Sequence, residues 1–405
     1  MAGPLEGIKV VEFATTVSGP FGGQLLAEQG ADVVKVESHD GDVLRGIGAG
    51  TTRGHITGYF ASFNRGKRSI VVDVKDPDGA EIVRRLADDA DVFIQNQRAG
   101  VAERLGLGPA DLHARNPDLV YVSISGVGAT GPYAHLPFYD PMSQALSGMA
   151  ALQADPTGRS HLVRTVLADK LTGMYASQAA LNGLVARSAG KGGQHIEVRM
   201  LDAMISWLFA DGFMHLTLTD DDIPFQPNVV QGYDTVPTRD GAIVATIATD
   251  AQFAGVWRAL GRPEVADDPK WKTVAARSQI FKEAFDAYAA EIATFPRDEI
   301  VARLRAEDVP AAEVLTPEEV FTDPQVVHNG VIEHVVHPTL GGIRQPRLPV
   351  GYAATPVERP RHAPMHGEQT DEVLAELGYD DATIAAFRER GVVGGWRPGD
   401  EVARR

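Results

Sequence analysis

Short apolar segments alternate with helical stretches through the first 125 residues, and this alternation limits the possible folds more than any other feature of the chain. Helical patterns separate five segments that read as buried strands, at residues 8–13, 31–37, 69–74, 91–95 and 119–125. Strands that alternate with helices are typical of βαβ units, which build parallel sheets. Residues 1–200 are therefore predicted to form an α/β fold with an open, mostly parallel, Rossmann-like sheet covered by helices.

The second half of the chain predicts a change of organisation. A helix follows Asp169 and ends near Arg187, residues 194–199 read as a strand, and an apolar helix follows. An Asp-Gly turn at residues 240–241 indicates a hairpin. We predict four parts, namely the N-terminal part of a large domain (1–218), a linker (219–232), a smaller α+β domain (233–330), and an extended return with C-terminal helices that completes the large domain (331–405).

Composition argues against several classes of function. A chain of 405 residues exceeds the usual size of one domain, and its net charge of −16 argues against nucleic acid or an anionic membrane as a bulk partner. The absence of cysteine excludes disulfides and thiolate chemistry, and the 12 histidines show no metal-ligand spacing. No signal-peptide pattern opens the chain, and no apolar run reaches the ~18 residues of a membrane span. A soluble, cytoplasmic protein without a metal is expected.

Asp169 stands at the start of a predicted helix, and two interpretations of it are open. Aspartate is favoured at a helix N-cap because its carboxylate accepts a hydrogen bond from an unpaired backbone N–H, and the helix dipole favours an ionised carboxylate there. The same carboxylate could instead be a nucleophile that attacks an activated acyl group. The local sequence does not separate the two.

Two glycine-rich segments suggest a dinucleotide site. Residues 18–23 (Ser-Gly-Pro-Phe-Gly-Gly) are predicted to form a turn before the first helix, and Glu37 ends the second strand where a ribose-binding acid would lie. The segment lacks Gly-x-Gly-x-x-Gly spacing, and Pro20 removes a backbone N–H that pyrophosphate would need. Residues 126–131 have that spacing, but no long helix begins before Pro141. A dinucleotide-dependent oxidoreductase is a remote alternative, and residues 126–131 are predicted to shape a pocket.

Basic side chains gather in the turns that follow the predicted strands. These turns carry Arg45, residues 65–68, Lys75, Arg98 and Arg104. Ligands of open parallel sheets bind beyond the carboxyl ends of the strands, and several guanidinium groups there suit a ligand with phosphates. Solvated surface charge is the alternative, because it is the usual state of a single arginine. Both interpretations stay open.

A series of short motifs resembles the family III CoA-transferases, the carnitine-CoA-transferase-like family that includes formyl-CoA transferase and α-methylacyl-CoA racemase. The motifs agree with the family in order and spacing from residue 5 to about residue 392. They occupy residues 5–11, 30–37, 64–70, 95–100, 104–106, 131–133, 139–140, 169–173, 193–194, 367–370 and 378–379. Any one match is weak, whereas the series is highly specific.

The resemblance implies roles for individual residues. Asp169 matches the aspartate that is acylated and then forms an aspartyl-CoA thioester, and Ser18, Tyr139 and Asp140 match positions beside the substrate. The implied CoA groove is lined by Val17, Arg45, Val72, Asp73, Lys75, Asn96, Gln97, Arg98 and Arg104. The resemblance also implies an interlocked homodimer, acyl-CoA and carboxylic acid substrates, and no tightly bound cofactor.

Departures from the family pattern bear on the reaction. Residues 95–97 read Gln-Asn-Gln where family members often have Glu-Asn-Phe, Ala99 replaces a proline, and residues 229–233 hold no clear counterpart of the glycine-rich loop of formyl-CoA transferase. Tyr139 stands where the racemase branch has histidine. A racemase needs paired acid and base groups, and tyrosine, with a pKa near ~10, is a poor substitute even if Asp250 supplies the second acid. The sequence favours a CoA-transferase over a 2-methylacyl-CoA racemase or epimerase and does not identify the acyl group.

Overall fold

The computed structural model describes residues 2–48, 56–220, 222, 233–358 and 360–396. Contacts between Cα atoms divide the chain into two compact units, one formed by Met1–Asn228 with Glu333–Arg405 and the other by Val229–Ile332. Most of the predicted linker at 219–232, most of the loop at 229–233, and residues from Arg397 onward lie outside the described residues.

The secondary structure follows the predicted alternation. In chain order the strands are β1 (Lys9–Phe13), β2 (Asp32–Glu37), β3 (Arg68–Val72), β4 (Val92–Gln95), β5 (Val120–Ser125), β6 (Gln194–Arg199), β7 (Val236–Pro237), β8 (Ala242–Ala245), β9 (Ala311–Glu313), β10 (Ile332–His337), β11 (Gly341–Pro346) and β12 (Val393–Gly394). The helices of the larger unit are α1 (Ser18–Ala27), α2 (Gly58–Asn64), α3 (Pro77–Asp88), α4 (Val101–Arg104), α5 (Pro109–Arg115), α6 (Asp140–Leu146), α7 (Met149–Leu152), α8 (Leu167–Ala186) and α9 (Met200–Leu208). Those of the smaller unit are α10 (Asp250–Ala259), α11 (Val274–Gln279), α12 (Phe281–Ile292), α13 (Arg297–Ala306), α14 (Pro317–Val320) and α15 (Pro324–Asn329), and α16 (Thr370–Glu376) and α17 (Asp381–Glu389) return to the larger unit.

The larger unit is built on a seven-stranded sheet with the order β12-β3-β2-β1-β4-β5-β6. Strands β1 to β6 pair in parallel, and only the short β12 is antiparallel to its neighbour β3. The predicted α/β fold with a mostly parallel sheet is therefore confirmed. Helices cover both faces, so β4 is buried at every residue, and its first three residues are all apolar rather than alternating.

Each face of the sheet has its own apolar core. On one face, β-strand valines and isoleucines pack with Leu26 of α1 and with Ala176, Ala180 and Leu184 of α8. On the other face, the core includes Ile82 of α3, Leu112 of α5, Leu374 of α16 and Phe387 of α17. The C-terminal helices are thus part of the core of the larger unit.

Helix α1 begins at Ser18, so the prediction of a turn over residues 18–23 is wrong. These positions of the helix are glycines because the neighbouring residues leave no space for side chains. A Cβ on Gly23 would lie 2.0 Å from a carboxylate oxygen of Glu12, and a Cβ on Gly22 would lie 3.1 Å from the carbonyl oxygen of Gly173. The close approach of this helix to its surroundings overrides the low helix propensity of glycine.

The smaller unit has a three-stranded antiparallel sheet with the order β7-β8-β9. The predicted hairpin turn is present, since Thr238 N–H donates to the Gly241 carbonyl at 2.9 Å. Helices α10, α12 and α13 supply the core of this unit, which includes Phe253, Trp257, Tyr288 and Ile300.

The return toward the C-terminus differs from the expected extended segment. Residues 332–346 form the hairpin β10-β11, and the Nε2 of His337, which is buried, lies 2.9 Å from the carbonyl oxygen of Ala363. Thr370, at the start of α16, accepts a hydrogen bond at its Oγ1 from Val71 N–H of β3 at 3.0 Å. None of the described helices combines the length and the apolar content that a membrane span requires.

Candidate active site

A cavity of about 950 Å³ opens at the carboxyl ends of β1, β4 and β5 and continues along β6. This is the edge of a parallel sheet at which ligands bind. The cavity brings together seven of the predicted site residues, which are Ser18, Asn96, Gln97, Arg98, Arg104, Tyr139 and Asp169. Gly126 and Gly128 also line it, which confirms that residues 126–131 help to shape a pocket, and the next helix begins only at Asp140.

Asp169 is the third residue of α8, so of the two interpretations of this residue the N-cap is wrong. Val166 is the N-cap residue and makes no capping hydrogen bond with its side chain. The backbone N–H of Asp169 donates instead to Oδ2 of Asp140 at 3.1 Å. The carboxylate of Asp169 lines the cavity.

The crossing of α1 and α8 brings Ser18 to Asp169. A Cβ on Gly173 would lie 2.7 Å from the Ser18 carbonyl oxygen and 3.1 Å from Gly22 N, so only glycine allows the two backbones to approach this closely. Ser18 then lies near enough to the carboxylate of Asp169 for its side chain and its backbone N–H to lower the pKa of that carboxyl. Gly173 thus has a packing role.

The pKa of the Asp169 carboxyl is raised to about 7. Burial is the largest cause, and the negative charge of Asp140 adds to it, while the hydrogen bonds from Ser18 oppose the shift. A carboxyl group with such a pKa in a cavity is a candidate for chemistry, because structural carboxylates are more often paired with a cation.

Asp140 lies behind Asp169 rather than in the cavity wall. It is 3% exposed, its Oδ1 accepts a hydrogen bond from Gln144 Nε2 at 2.6 Å, and its Oδ2 holds the N–H of Asp169. Gln144 in turn accepts the N–H of Val163 at 2.9 Å and so secures the segment that leads into α8. That Asp140 also faces the substrate stays a prediction.

A buried ionic cluster of Glu12, Lys35, Asp42 and Lys67 holds the turn between β1 and α1. Lys35 Nζ lies 2.9 Å from both Glu12 Oε1 and Asp42 Oδ2, and Lys67 Nζ lies 2.7 Å from Glu12 Oε2. The side chains of all four residues are buried. Removing this many charges from water is costly unless they pair, and here each carboxylate has a cation.

The ionic cluster also binds the backbone of the turn. Lys35 donates to the Ala14 carbonyl at 2.8 Å, Lys67 donates to the Pro20 carbonyl at 2.7 Å, and the Asp42 carboxylate accepts the N–H of Thr16 at 3.1 Å. Thr16 has a φ of 70°, which is unfavourable for a β-branched residue and requires such restraint. These contacts fix the backbone on both sides of Ser18.

Most of the basic residues that follow strands have internal partners. Arg45 forms a two-pronged ion pair with Glu37 at 2.6 and 2.8 Å, Arg65 pairs with Glu28, and Arg68 pairs with Asp32. The interpretation of all these turns as one polyanion site is therefore wrong. Of the described residues that line the cavity, Arg98 and Arg104 are the arginines, and both are exposed.

Glu37 is not available to bind a ribose. Its side chain is buried, and although burial favours the neutral form, Arg45 holds the pKa of the Glu37 carboxyl well below its usual range. This ion pair accounts for the acidic residue at the end of β2 without a nucleotide.

Of the remaining residues predicted to bind CoA, some hold loops in place at the cavity wall and others lie outside the cavity. Asn96 Oδ1 accepts the N–H of Thr15 at 2.9 Å, and Gln97 Nε2 donates to the Phe13 carbonyl at 3.2 Å, so both tie loops together at the cavity wall. Val17 is buried beside the cavity. The structure does not bring Arg45, Val72, Asp73 or Lys75 to this cavity.

Sequence reasoning missed a polar chain on the far wall of the cavity. Gln95 Nε2 donates to Ser123 Oγ at 3.0 Å, and Ser123 Oγ lies 2.8 Å from His195 Nε2. His195 and Glu197 share the polar face of β6, and the alternation of residues 194–199 was the only signal for them. Tyr59 was missed as well; burial and the charges of Asp169 and Asp140 raise the pKa of its hydroxyl.

Asp250 lies in the smaller unit, at the first residue of α10. Its Oδ1 accepts a hydrogen bond from Arg277 at 2.8 Å. Within the described residues, no group of three or more histidine, aspartate or glutamate side chains is arranged to hold a metal ion.

Comparison with known proteins assigns a family to this arrangement. The profile of CoA-transferase family III matches residues 5–370. The succinate–glutarate CoA-transferase of Agrobacterium fabrum is 34% identical over 386 residues, covering 92% of this chain and 96% of that protein. The succinyl-CoA:glutarate CoA-transferase of Mus musculus is 31% identical, covering 96% of this chain and 90% of that protein. The crystal structure of a CaiB/BaiF family protein from Brucella suis is 33% identical, has a TM-score of 0.83, and covers 93% of this chain and 100% of that one.

Proposed function

The chain belongs to CoA-transferase family III and is an enzyme of the CoA-transferase type, and we propose that it moves CoA from an acyl-CoA donor to a carboxylic acid acceptor through covalent intermediates on Asp169. The observation that carries this proposal is a carboxylate with a pKa raised to about 7 on the wall of the 950 Å³ cavity. Such a group is more basic, and hence more nucleophilic, than an ordinary aspartate.

The first half of the reaction forms two intermediates in turn. A carboxylate oxygen of Asp169 attacks the thioester carbonyl of the donor, the C–S bond breaks, and CoA leaves as a thiolate with the electron pair. The thiolate then attacks Cγ of Asp169 in the resulting mixed anhydride. The C–O bond breaks, the donor acid leaves as a carboxylate, and an aspartyl-CoA thioester remains.

The second half reverses these steps with the acceptor. The acceptor carboxylate attacks Cγ of the aspartyl-CoA thioester and expels the CoA thiolate, which gives a new mixed anhydride. The thiolate attacks the acyl carbonyl of the acceptor, so acyl-CoA is formed and the Asp169 carboxylate is regenerated. Because both intermediates would react with water, the site must exclude water while they exist.

Several side chains support this reaction by their position. Ser18 is beside the Asp169 carboxylate, and Tyr139 lies at the cavity wall with 54% of its surface exposed, where a substrate can reach it. We assign the phosphates of CoA to Arg98 and Arg104, since guanidinium groups suit phosphate and both side chains are exposed at the cavity.

Short dicarboxylic acids are the substrates that we propose to test first. The relatives from Agrobacterium fabrum and Mus musculus are named for succinate, succinyl-CoA and glutarate. A succinyl-CoA donor with glutarate as acceptor is therefore the first pair, followed by other carboxylic acids of similar length.

A homodimer is proposed as well. The larger unit exposes large apolar side chains on α6, on α9 and in the residues after α9, namely Met142, Leu146, Ile205, Trp207, Phe209, Leu216 and Leu218. Apolar exposure on this scale is more typical of a protein interface than of a free surface. The family resemblance implies that the two chains interlock and that the two compact units are the large and small domains.

The proposed function is tested by the mass of the intact protein after incubation with succinyl-CoA, with and without hydroxylamine or borohydride. We expect modification at Asp169 alone, and we expect Asp169→Ala to lose turnover by about 10⁴-fold or more while still binding CoA. Asp111→Ala is the matched control, since Asp111 is the third residue of α5 and is exposed.

Two results would contradict the proposal. Turnover retained in Asp169→Ala would remove the nucleophile. An absence of any adduct with any donor, together with exchange of the α-proton of a branched acyl-CoA in the absence of an acceptor acid, would favour a racemase instead.

A further inference from the structure

Asp140 binds the backbone N–H of Asp169 on the side away from the cavity, and its position suggests a role beyond holding α8 in place. We propose that Asp140 is a positioning residue that caps α8 from outside and uses its negative charge to favour the acylated, neutral state of Asp169. The proposal rests on the proposed function of Asp169. It concerns how the nucleophile is held and activated, and not the identity of the substrate.

The first part of the argument concerns the N-terminus of α8. The N-cap residue Val166 supplies no side-chain acceptor, so the N–H of the third residue needs one from elsewhere. Oδ2 of Asp140 provides it at 3.1 Å. An acidic side chain at the third position of a helix often turns back to cap its own N-terminus. Because Asp140 accepts one of the N–H groups of this turn, the Asp169 carboxylate can point to Ser18 and the cavity.

The second part concerns charge. Asp140 on α6 is buried and near Asp169, and its charge contributes to the raised pKa of Asp169. On the other sides, α1 offers the neutral Ser18, α2 offers the phenol of Tyr59, and the neighbouring Lys170 donates its Nζ to Thr165 Oγ1 at 2.8 Å. Among the described residues, the causes of this pKa shift include no cation.

Acylation removes the repulsion between the two carboxylates. When Asp169 attacks the thioester, its negative charge leaves with the CoA thiolate, and the mixed anhydride beside Asp140 is neutral. Hydrolysis or transfer restores the charge and the repulsion. Asp140 therefore raises the free energy of the resting carboxylate relative to both covalent intermediates, which makes them easier to reach.

A purely structural role would explain less. Aspartate is common in the first turn of a helix because the dipole favours it, and Asp140 is the first residue of α6. Such a residue is ordinarily exposed, whereas Asp140 is 3% exposed and one of its oxygens contacts another helix. Its burial beside a second carboxylate requires a further reason.

The test measures the pH dependence of Asp169 acylation in single turnovers with succinyl-CoA, followed as adduct mass on the full chain. The wild-type rate is expected to rise with pH through about 7, because the carboxylate is the reactive form. In Asp140→Asn the midpoint is expected to fall by about one pH unit, and the equilibrium fraction of adduct by about tenfold. Asp140→Ser is a second neutral variant that retains an oxygen acceptor.

Two further variants separate charge from structure. Gln144→Met removes the hydrogen bond to Oδ1 but keeps the charge of Asp140, so it should slow acylation without moving the midpoint. Asp140→Glu restores the charge and should return the midpoint toward that of the wild type. An unchanged midpoint in a folded Asp140→Asn or Asp140→Ser, or a midpoint moved equally by Gln144→Met, would overturn the proposal. An absence of adduct in the wild type would instead contradict the proposed function, so the two failures are distinguishable.

Discussion

The ionic cluster beneath α1 and the carboxyl pair at the start of α8 both consist of charged side chains withdrawn from water, but they differ in balance. In the ionic cluster, Glu12 and Asp42 have Lys35 and Lys67 as partners. In the pair, Asp140 accepts the backbone N–H of Asp169 and its charge raises the pKa of the Asp169 carboxyl, and the causes of that shift include no cation among the described residues. Buried charges that are paired with opposite charges hold the backbone in place. A buried carboxylate without a cation has a raised free energy in its charged form, which makes it more reactive.

The pKa values of Lys67 and Asp169 reflect this difference. Burial lowers the pKa of Lys67 to about 8, and the charge of Glu12 opposes that shift and keeps the ammonium group mostly charged near neutral pH. At Asp169, burial and the charge of Asp140 both raise the pKa, to about 7. Lys67 therefore has a counter-charge that opposes its shift, whereas Asp169 has a like charge that increases it.

The largest effect on stability is expected in the ionic cluster. Glu12→Gln leaves two buried lysines with one carboxylate between them, so we expect the free energy of unfolding to fall by about 3–5 kcal/mol, measured by urea denaturation. Glu81→Gln is the control, because Glu81 pairs with Arg84 and Arg115 at the surface and its loss should change stability by less than about 1 kcal/mol. Equal effects of the two substitutions would contradict the distinction.

At Asp169, removal of the charge is expected to stabilise the protein rather than destabilise it. The pKa of Asp169 is about 7 in the folded protein and near its ordinary value of 3.8 when unfolded, so the folded state binds the extra proton between these values. This contribution to stability is present below the unfolded pKa and is lost as pH rises through about 7. At about pH 8 the free energy of unfolding of Asp169→Asn, measured by urea denaturation, should therefore exceed that of the wild type by roughly 1–3 kcal/mol. Near pH 5 the difference should be smaller.

The same gain for Asp169→Asn at both pH values would mean that packing, and not charge, is responsible. A loss of stability at pH 8 would show that the carboxylate of Asp169 is compensated after all.

The crossing of α1 and α8 joins the two regions, so disturbing it tests whether the turn matters to the nucleophile. In Gly173→Ala the new Cβ would meet the Ser18 carbonyl oxygen at 2.7 Å. We expect about 1–2 kcal/mol of destabilisation and about tenfold lower turnover, measured by urea denaturation and by the transferase assay. Gly342→Ala, in β11 where a Cβ meets open space, is the control. Full turnover in Gly173→Ala would show that the separation of Ser18 and Asp169 is not critical.

The smallest effect is expected at the exposed arginines of the cavity. Arg98→Ala and Arg104→Ala should each raise KM for acyl-CoA by about tenfold and leave the stability unchanged, since neither side chain is buried. Arg85→Ala is a control, since Arg85 lies over the Tyr379 ring outside the cavity. An unchanged KM in both cavity variants would remove the arginines from the CoA site.

The sheet was predictable because β1 to β5 are mostly buried and rich in apolar residues, and because β6 alternates polar with apolar residues. The glycine-rich start of α1 was not, because glycine and proline indicate a turn locally and only the contacts with Glu12 and Gly173 explain a helix. The hairpin β10-β11 lies in a segment whose prolines, histidines and glycines suggested extended chain. The two-residue strand β12 is too short to leave a pattern in the sequence.

The site was predictable in part, and what the sequence did not predict is how its charged residues pair. The motifs pointed to Asp169, and the structure places it in the cavity. Which arginines are free could not be read from the sequence, since Arg45 and Glu37 are eight residues apart and Arg68 meets Glu376 across the fold. The link between Asp140 and Asp169 joins two helices and has no signal in either segment.

The order in which the strands of the sheet are made has a consequence for synthesis. Strand β3 receives its edge partner β12 through the pairing of Val72 with Val393, and the ribosome must translate the whole smaller unit between them. At roughly 5–20 residues per second this interval lasts about a quarter of a minute to a minute. During that time the nascent chain carries an open sheet edge and an uncovered apolar face, the features that promote association between unfinished chains. Chaperones that bind nascent polypeptides would find their longest opportunity there.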